Sequence, residues 1–276
     1  MLAHLCPPTN WSAKMRVMEQ NTSDEVPTTT RGSFDAAVVA RNTLAAPARL
    51  AAVLDHTLLK PEATRDQILA LCREAAEHRF ACAMVNPAWV PLATSVLAGT
   101  DIPVGVVIGF PLGANLCTTK RDEAREMVKL GVRELDMVLN VGMLKSGMYK
   151  QVEADIRSVT EVGRAAGAVV KVILETCLLS MPEKLRAAEI VINAGSDYLK
   201  TSTGFSTGGA TAADVALLRG IAGDRCGVKA SGGIRTLSDA RTMLEAGATR
   251  IGASASVRIV EELSSALVAT AATAPA

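Results

Sequence analysis

The chain has 276 residues, of which 29 are basic and 28 are acidic, and 49% of them are hydrophobic, which is an ordinary globular composition. Its near-zero net charge and its aromatic content of only 3% argue against binding to nucleic acid or to an anionic membrane surface. No run reaches the roughly 18 apolar residues of a membrane span. The six cysteines form no C-x-x-C pair, which argues against a metal site or a disulfide framework.

Residues 1–45 differ from the rest of the chain. They mix prolines and threonines with scattered charges and show no sustained hydrophobic period. A signal peptide would need an apolar stretch of about 7–15 residues after a basic start, and none is present. The acidic residues of the segment argue against a transit peptide. We therefore expect a flexible N-terminal extension with little or no catalytic content, on a cytoplasmic protein.

From about Ala46 onward, short apolar segments alternate with helical patterns. The apolar segments lack a polar alternation, as expected of strands buried on both faces. The predicted strands are Val53–Leu58, Phe80–Val85, Val104–Gly109, Glu134–Leu139, Val169–Leu174, Tyr198–Lys200, Gly227–Lys229 and Arg250–Gly252.

The segments between the strands have apolar residues at helical spacing, and several end at a glycine. The predicted helices are Thr64–His78, Thr118–Leu130, Gly147–Ala166, Pro182–Ala194, Ala212–Gly220, Leu237–Ala246 and Ser254–Ala269. Eight strand–helix units match a (β/α)8 TIM barrel, an α/β fold whose usual size is about 250 residues. A doubly wound open sheet is the alternative, and no early G-x-G-x-x-G supports it. We predict one barrel domain, residues 46–276, after the extension.

Two lysines stand at the ends of the sixth and seventh predicted strands. Lys200 precedes a turn rich in hydroxyl groups and glycine, and Lys229 precedes a similar one. In a barrel the two amines would lie within several ångströms of each other. Repulsion between like charges and desolvation both lower the pKa of a lysine, and a neutral amine is the nucleophile of a Schiff-base enzyme. The alternative is that both are ordinary surface lysines.

Other polar residues follow or interrupt the predicted strands. Asp55 and Asp136 interrupt apolar runs, where an acid requires a partner, so each is either a structural partner of a lysine or a proton carrier near one. The remaining strand-end candidates are Thr57, Asn86, Asn140 and Glu175. Glycine- and serine-rich loops follow strands six to eight. Such loops bind phosphate in barrels, although their glycines can equally serve as turns.

Seven motifs at barrel spacing carry a family resemblance. They are Leu54–Pro61, Val85–Pro87, Gly109–Gly113, Glu134–Val138, Lys171–Thr176, Lys200–Phe205 and Lys229–Arg235. In this order, between about Leu50 and Leu263, they resemble the deoxyribose-phosphate aldolase family, the class I aldolases of deoxynucleoside breakdown.

The resemblance implies reversible cleavage of 2-deoxy-D-ribose 5-phosphate to acetaldehyde and D-glyceraldehyde 3-phosphate, without a metal or an organic cofactor. It implies that Lys200 is the Schiff-base lysine, that Lys229 lowers its pKa and exchanges protons, and that Asp136 relays protons. Asp55 would be a supporting acid. The residues implied in phosphate binding are Gly204, Gly232, Gly233 and Ser254. Family members are often dimers or tetramers, which implies a homo-oligomer.

The chain departs from the family pattern at two positions. Ala255 stands where many members have a second serine, and Phe205 stands where some carry a lysine. Both changes remove polar contacts to a phosphate and predict a weaker preference for the 5-phosphate. Two rival interpretations remain: another Schiff-base aldolase or transaldolase on a barrel, and a non-catalytic barrel that binds sugar phosphates.

Overall fold

The computed structural model describes residues 34–273. Most of the predicted extension, residues 1–33, lies outside the described residues, so its flexibility stays a prediction. Residues 34–45 include helix α1, Ala36–Thr43, whose N-terminus is capped by the Asp35 carboxylate. Helix α2, Pro47–Ala51, follows it. The sequence did not indicate α1, because about two turns are too short to establish a hydrophobic period.

Eight parallel strands form a closed barrel in chain order, with the first strand paired to both the second and the eighth. They are β1 Leu54–Leu58, β2 Cys82–Val85, β3 Val104–Ile108, β4 Glu134–Val138, β5 Val169–Ile173, β6 Tyr198–Lys200, β7 Gly227–Ser231 and β8 Arg250–Ala253. The predicted (β/α)8 barrel is confirmed, and the open doubly wound sheet is wrong because no edge strand remains. Strand β7 continues beyond its predicted end, so Lys229 lies in its middle.

Helices surround the barrel. They are α3 Arg65–His78, α4 Val90–Val96, α5 Cys117–Lys129, α6 Val141–Lys145, α7 Tyr149–Ala166, α8 Met181–Asn193, α9 Ala212–Ala222, α10 Leu237–Glu245 and α11 Ser256–Thr273. The sequence did not predict α4 and α6, which are only seven and five residues long. None of the helices within residues 34–273 has the length and hydropathy needed to cross a membrane.

The local sequence explains where these elements begin and how deeply they are buried. Strand β3 is built from valine, isoleucine and one glycine and is buried at every residue, as expected where helices cover a parallel sheet. Helix α3 begins at a capping box, in which Thr64 and Gln67 each bond the other's backbone N–H. The main apolar core therefore lies between the strands and the helices.

The interior of the barrel contains both apolar and acidic side chains. A small apolar cluster, Leu59, Cys82, Met84 and Val107, is separate from the main core. Val107 pairs with Asp136 across β3 and β4, and Cys82 pairs with Asp55 across β1 and β2. Paired strand residues point to the same face of a sheet. The apolar cluster and these two acids therefore share the barrel interior.

Candidate active site

Strand register brings four ionisable side chains together inside the barrel. Asp136 pairs with Lys171 across β4 and β5, and Lys200 pairs with Lys229 across β6 and β7. Each of the four residues is at most 3% exposed. Apart from Lys200 at the end of β6, they lie within their strands, below the mouth of the barrel.

The Asp136 carboxylate is the centre of this cluster. Its Oδ2 accepts hydrogen bonds from Lys200 Nζ at 2.7 Å and from Lys229 Nζ at 2.6 Å. Its Oδ1 accepts one from Lys171 Nζ at 2.8 Å. The two lysines singled out in the sequence thus meet at one carboxylate oxygen.

A second layer lies closer to the N-terminal ends of the strands. Asp55 accepts hydrogen bonds from Lys229 Nζ and, at 2.8 Å, from Arg250 Nη1. Glu134 accepts a hydrogen bond from Lys171 Nζ and lies 3.3 Å from Arg250 Nη1. The sequence interpretation placed Asp55 here but assigned no part to Glu134, Lys171 or Arg250. Glu134, Lys171 and Arg250 connect Asp55 to the group around Asp136, and we call the whole network the ionic cluster.

The ionic cluster has more basic than acidic groups. Its members are the carboxylates Asp55, Glu134 and Asp136 and the basic groups Lys171, Lys200, Lys229 and Arg250. With every group ionised, four positive charges would face three negative ones in the barrel interior. One positive charge is therefore uncompensated, and desolvation makes it costly.

This excess of positive charge affects the pKa of Lys200. Burial lowers its pKa to about 8, and the positive charges of Lys229 and Lys171 act in the same direction, while Asp136 opposes them. Lys171 behaves in the opposite way. Burial lowers its pKa too, but Asp136, Glu134 and Asp55 outweigh burial and hold the pKa well above its usual value. Lys200 is thus the readily deprotonated member of this pair.

The two aspartates remain ionised at neutral pH. Burial raises the pKa of Asp136, but Lys171, Lys200 and Lys229 outweigh it and hold the pKa well below the usual range. For Asp55, burial is likewise outweighed by basic neighbours, with Lys229 first among them, and the pKa falls to about 2. Each carboxylate therefore supplies a negative charge to the basic groups around it.

Asp55, Cys82 and Glu134 place possible metal ligands within 4.8 Å of one another. Both carboxylates, however, already accept hydrogen bonds from basic side chains. Burial raises the pKa of the Cys82 thiol well above its usual value, so the thiolate that a metal requires is disfavoured. This grouping is suited to the lysine and arginine side chains and not to a metal ion.

Three strand-end candidates from the sequence lie outside the ionic cluster. The Asn86 amide donates a hydrogen bond to the carbonyl of Leu59 at 3.0 Å. The Asn140 side chain caps the N-terminus of α6. The Thr57 hydroxyl donates to the backbone carbonyl of Asp55 at 2.8 Å. These contacts stabilise the backbone around the site.

Glu175, the fourth of these candidates, lies just beyond β5 and is only 3% exposed. Its backbone is left-handed, with φ of +57° and ψ of +62°, which costs a residue other than glycine roughly 1–2 kcal/mol. Its carboxylate accepts hydrogen bonds from the Thr203 hydroxyl and, at 3.3 Å, from the Thr203 N–H. Glu175 therefore connects the end of β5 to the loop after β6.

The predicted phosphate loops after β6 and β7 lie against each other. Gly204, Gly232 and Gly233 have φ values of +83°, +85° and +85°, in the region that favours glycine. A Cβ on Gly232 would lie 3.5 Å from the Gly204 Cα and 3.0 Å from the Gly209 Cα. Ser254 is exposed beyond β8, just before α11 begins. The part of these residues in phosphate binding stays a prediction.

Two aromatic rings meet on loops at the strand C-terminal end of the barrel. Phe110 and Phe205 make an edge-to-face contact with ring centroids 5.1 Å apart. Phe110 also packs against the small apolar cluster of the barrel interior. Phe205 is 49% exposed. Phe205, on the loop after β6, thus has an apolar partner and adds no charge to this part of the barrel mouth.

Replacing Lys171 by methionine is expected to lower the free energy of unfolding by about 3–5 kcal/mol, because it removes the hydrogen-bond donor to two buried carboxylate oxygens, Asp136 Oδ1 and Glu134 Oε2. Urea denaturation at pH 7 would measure the loss. The matched control is Lys129→Met, whose lysine is 68% exposed and pairs with Glu126 on the helix surface, so its change should stay within about 0.5 kcal/mol. Equal stability losses in the two variants would contradict a compensating role for Lys171.

The closed barrel and its buried lysine–carboxylate cluster define a (β/α)8-barrel enzyme. The model of the DeoC/LacD family aldolases matches residues 49–259. The chain belongs to this family of aldolases and is a carbon–carbon lyase. Helix α1 lies before the matched residues.

Two curated relatives and one solved structure illustrate the similarity. The deoxyribose-phosphate aldolase of Thermoanaerobacter sp. (strain X514) is 56% identical over 214 residues, which are 77% of this chain and 96% of the relative. That of Listeria monocytogenes serotype 4a (strain HCC23) is 55% identical over 211 residues, 76% of this chain and 94% of the relative. The tetrameric deoxyribose phosphate aldolase of Aeropyrum pernix has a TM-score of 0.78 and 34% identity, covering 84% of this chain and 98% of that one.

Proposed function

We propose that this aldolase reversibly cleaves 2-deoxy-D-ribose 5-phosphate to acetaldehyde and D-glyceraldehyde 3-phosphate through a Schiff base on Lys200. The observation that carries the proposal is a buried lysine whose pKa falls to about 8 and whose Nζ lies 2.7 Å from a buried carboxylate. An amine of this kind is neutral often enough at physiological pH to attack an aldehyde. The names of the curated relatives support the substrate.

The reaction begins at the aldehyde carbon C1 of the open-chain sugar. Neutral Lys200 Nζ attacks C1, and the resulting carbinolamine loses water to give an iminium ion. The C2–C3 bond then breaks: its electron pair becomes the C1=C2 double bond, and the π pair of the C=N bond moves onto the nitrogen, which gives a neutral enamine. As the bond breaks, the C3 hydroxyl loses its proton and C3 becomes the aldehyde carbon of D-glyceraldehyde 3-phosphate. Protonation of the enamine at C2 and hydrolysis release acetaldehyde.

Asp136 is proposed to relay the protons of these steps. It hydrogen-bonds Lys200 and Lys229 through the same oxygen. Because its pKa is held well below the usual range, it receives a proton only briefly and passes it on. Lys229 is the adjacent group that exchanges protons with it, and Asp55 holds Lys229 in place through a hydrogen bond.

The phosphate end of the substrate is proposed to bind the loops that follow β6, β7 and β8. Gly204, Gly232 and Gly233 allow backbone N–H groups to approach an anion, and Ser254 adds a hydroxyl near the N-terminus of α11. Phe205 contributes no charge to this site, which supports a weaker preference for the phosphate than a lysine at that position would give.

The proposal includes a place for the enzyme in the cell and in an assembly. Deoxyribose phosphate arises from deoxynucleosides, so the reaction would serve their catabolism in the cytoplasm. The tetrameric state of the Aeropyrum pernix relative supports a homo-oligomer for this chain.

The value of kcat/KM should rise about tenfold per pH unit below pH 8 and level off above about pH 9. The reason is that a lysine of pKa about 8 is roughly one-tenth neutral at pH 7 and half neutral at pH 8. Initial rates between pH 5.5 and 9.5 would measure the rise. A plateau that is already reached at pH 6 would contradict a nucleophile with this pKa.

Borohydride reduction in the presence of deoxyribose 5-phosphate, followed by peptide mass mapping, tests the mechanism directly. A reduced adduct on Lys200 is expected. An adduct on Lys229 would reverse the two lysine roles, and no adduct on either, with folded protein and bound substrate, would refute the Schiff-base mechanism. Parallel assays with keto-sugar phosphates would separate this activity from that of other Schiff-base aldolases and transaldolases.

A further inference from the structure

Glu175 is a buried acid that the proposed mechanism does not use. We propose that it is a positioning residue, which holds the loop after β6 in the shape that binds the phosphate end of the substrate. This inference rests on the proposed function of that loop. It assigns Glu175 to substrate binding and not to the chemistry at Lys200.

The contacts of Glu175 are all directed at this loop or its neighbourhood. Oε2 accepts the hydrogen bond of the Thr203 hydroxyl, and Oε1 accepts that of the Thr203 N–H at 3.3 Å. The Cys177 sulfur lies 3.9 Å from Oε1. Within residues 34–273, no basic side chain comes within salt-bridge distance of the Glu175 carboxylate. A buried acid without a cation is held by neutral donors, and Thr203 supplies two of them.

Thr203 passes this constraint to the next residues of the loop. Its Oγ1 accepts a hydrogen bond from the Phe205 N–H at 3.0 Å. Because the Thr203 hydroxyl donates to Glu175, its oxygen lone pairs remain oriented towards that N–H. Gly204, with its positive φ, lies between the two bonded residues. The carboxylate therefore fixes the conformation of the segment from Thr203 to Phe205.

The backbone around Glu175 aims its side chain at the loop. On one side the Leu174 N–H donates to the Lys200 carbonyl at 2.9 Å, and on the other the Thr176 N–H donates to the Thr201 carbonyl at 3.0 Å. Glu175 lies between these two bonds in a left-handed conformation that glycine would adopt more easily. The fold thus holds a residue in a strained conformation from which its side chain reaches Thr203.

Glu175 makes no hydrogen bond to the ionic cluster among the described residues. Its loss should therefore alter the binding of the distal end of the substrate and leave the reactivity of the amine unchanged. A residue that acted on proton transfer would instead change kcat and its pH dependence.

The first test compares Glu175→Gln and Glu175→Gly with the wild-type enzyme. In both variants we expect the KM for deoxyribose 5-phosphate to rise at least tenfold. The kcat should stay within about threefold of the wild-type value, and the inflection of the pH–rate profile should remain near pH 8. For unphosphorylated 2-deoxyribose, KM should change less than threefold. Glu189→Gln, at a 40% exposed acid that pairs with Arg225, is the matched control.

Glu175→Gly separates positioning from stability. Glycine removes the left-handed strain, so the Tm of this variant should not fall, although its KM should rise. Thr203→Val should reproduce the KM effect, whereas Thr203→Ser keeps the hydroxyl and should recover most of it. The double variant Glu175→Gln/Thr203→Val should be no worse than either single variant, because both act through one contact.

A lower kcat or a shifted inflection of the pH–rate profile would overturn the inference. An equal rise in KM for deoxyribose 5-phosphate and for unphosphorylated 2-deoxyribose would also overturn it. Calorimetric titration with glycerol 3-phosphate tests the loop without turnover, and its Kd should rise at least tenfold in the Glu175 variants; an unchanged Kd would also overturn it. Failure of the proposed function would appear differently, as an absence of any Lys200 adduct after borohydride treatment of the wild-type enzyme with acetaldehyde.

Discussion

Replacing Lys200 by leucine is expected to abolish aldol cleavage, with kcat reduced by a factor on the order of 10⁴ or more. Leucine has no amine, so on the proposed mechanism neither the carbinolamine nor the iminium can form. The fold should survive, because Asp136 keeps its hydrogen bonds to Lys171 and Lys229. Steady-state cleavage of deoxyribose 5-phosphate, combined with borohydride trapping, would measure the effect.

The thermal stability of the Lys200→Leu variant provides a second measurement. A lysine whose pKa falls from 10.5 to about 8 on folding destabilises the native state by about 3 kcal/mol below pH 8, because the unfolded chain binds the proton more tightly. The leucine variant should therefore have a Tm at least as high as that of the wild type at pH 7. Lys129→Leu, on the surface of α5, serves as the control. Substantial turnover by a folded Lys200→Leu variant would place the nucleophile elsewhere.

Replacing Lys229 by leucine is expected to reduce kcat/KM at pH 7 about 10²-fold. The substitution removes a positive charge that lowers the pKa of Lys200, so that pKa should rise towards its ordinary value of 10.5. The neutral fraction of Lys200 at pH 7 then falls from about one-tenth to about one-thousandth or less. Much of the lost activity should return near pH 10.

The pH–rate profile distinguishes this electrostatic role from damage to the fold. In Lys229→Leu the inflection of the pH–rate profile should move upward from about pH 8 by about two units. In Lys229→Arg, which keeps the charge, it should stay near 8 even if the rate falls. A residually active Lys229→Leu enzyme with an unmoved limb would count against control of the Lys200 pKa by Lys229.

Most of the barrel could be predicted from the sequence because its strands are buried on both faces. Strands rich in valine and isoleucine, such as β3 and β5, can be recognised without any knowledge of their partners. The short helices α4 and α6 could not be predicted in this way, since their few residues are stabilised by packing and not by a hydrophobic period. The end of β7 was also missed, because its last residues, Ala230 and Ser231, are small and uninformative.

The candidate site was predictable to the extent that it follows from strand order. Adjacent strands brought Lys200 beside Lys229, and an acid in an apolar run indicated that Asp136 is paired. Lys171 carried the same signal, since it interrupts the valine-rich strand β5, but only the register of β4 against β5 shows that it meets Asp136. Register depends on the closed barrel and has no local marker.

Glu134 and Arg250 were missed for a related reason. Each is the first residue of its strand, where a charged side chain ordinarily faces solvent. The closed barrel turns both inward, where Arg250 is shared between Glu134 and Asp55. Which side chains form an interior layer can be determined only when the register of all the strands is known.

The cluster that disfavours a positive charge on Lys200 would affect the reaction after the first step as well. An iminium ion carries the same charge as the ammonium group whose pKa burial and Lys229 lower to about 8. On the proposed mechanism these surroundings therefore destabilise the iminium relative to the neutral enamine that replaces it. The charge disappears as the carbon–carbon bond breaks, so the same electrostatic cause would both free the nucleophile and shorten the lifetime of the covalent intermediate.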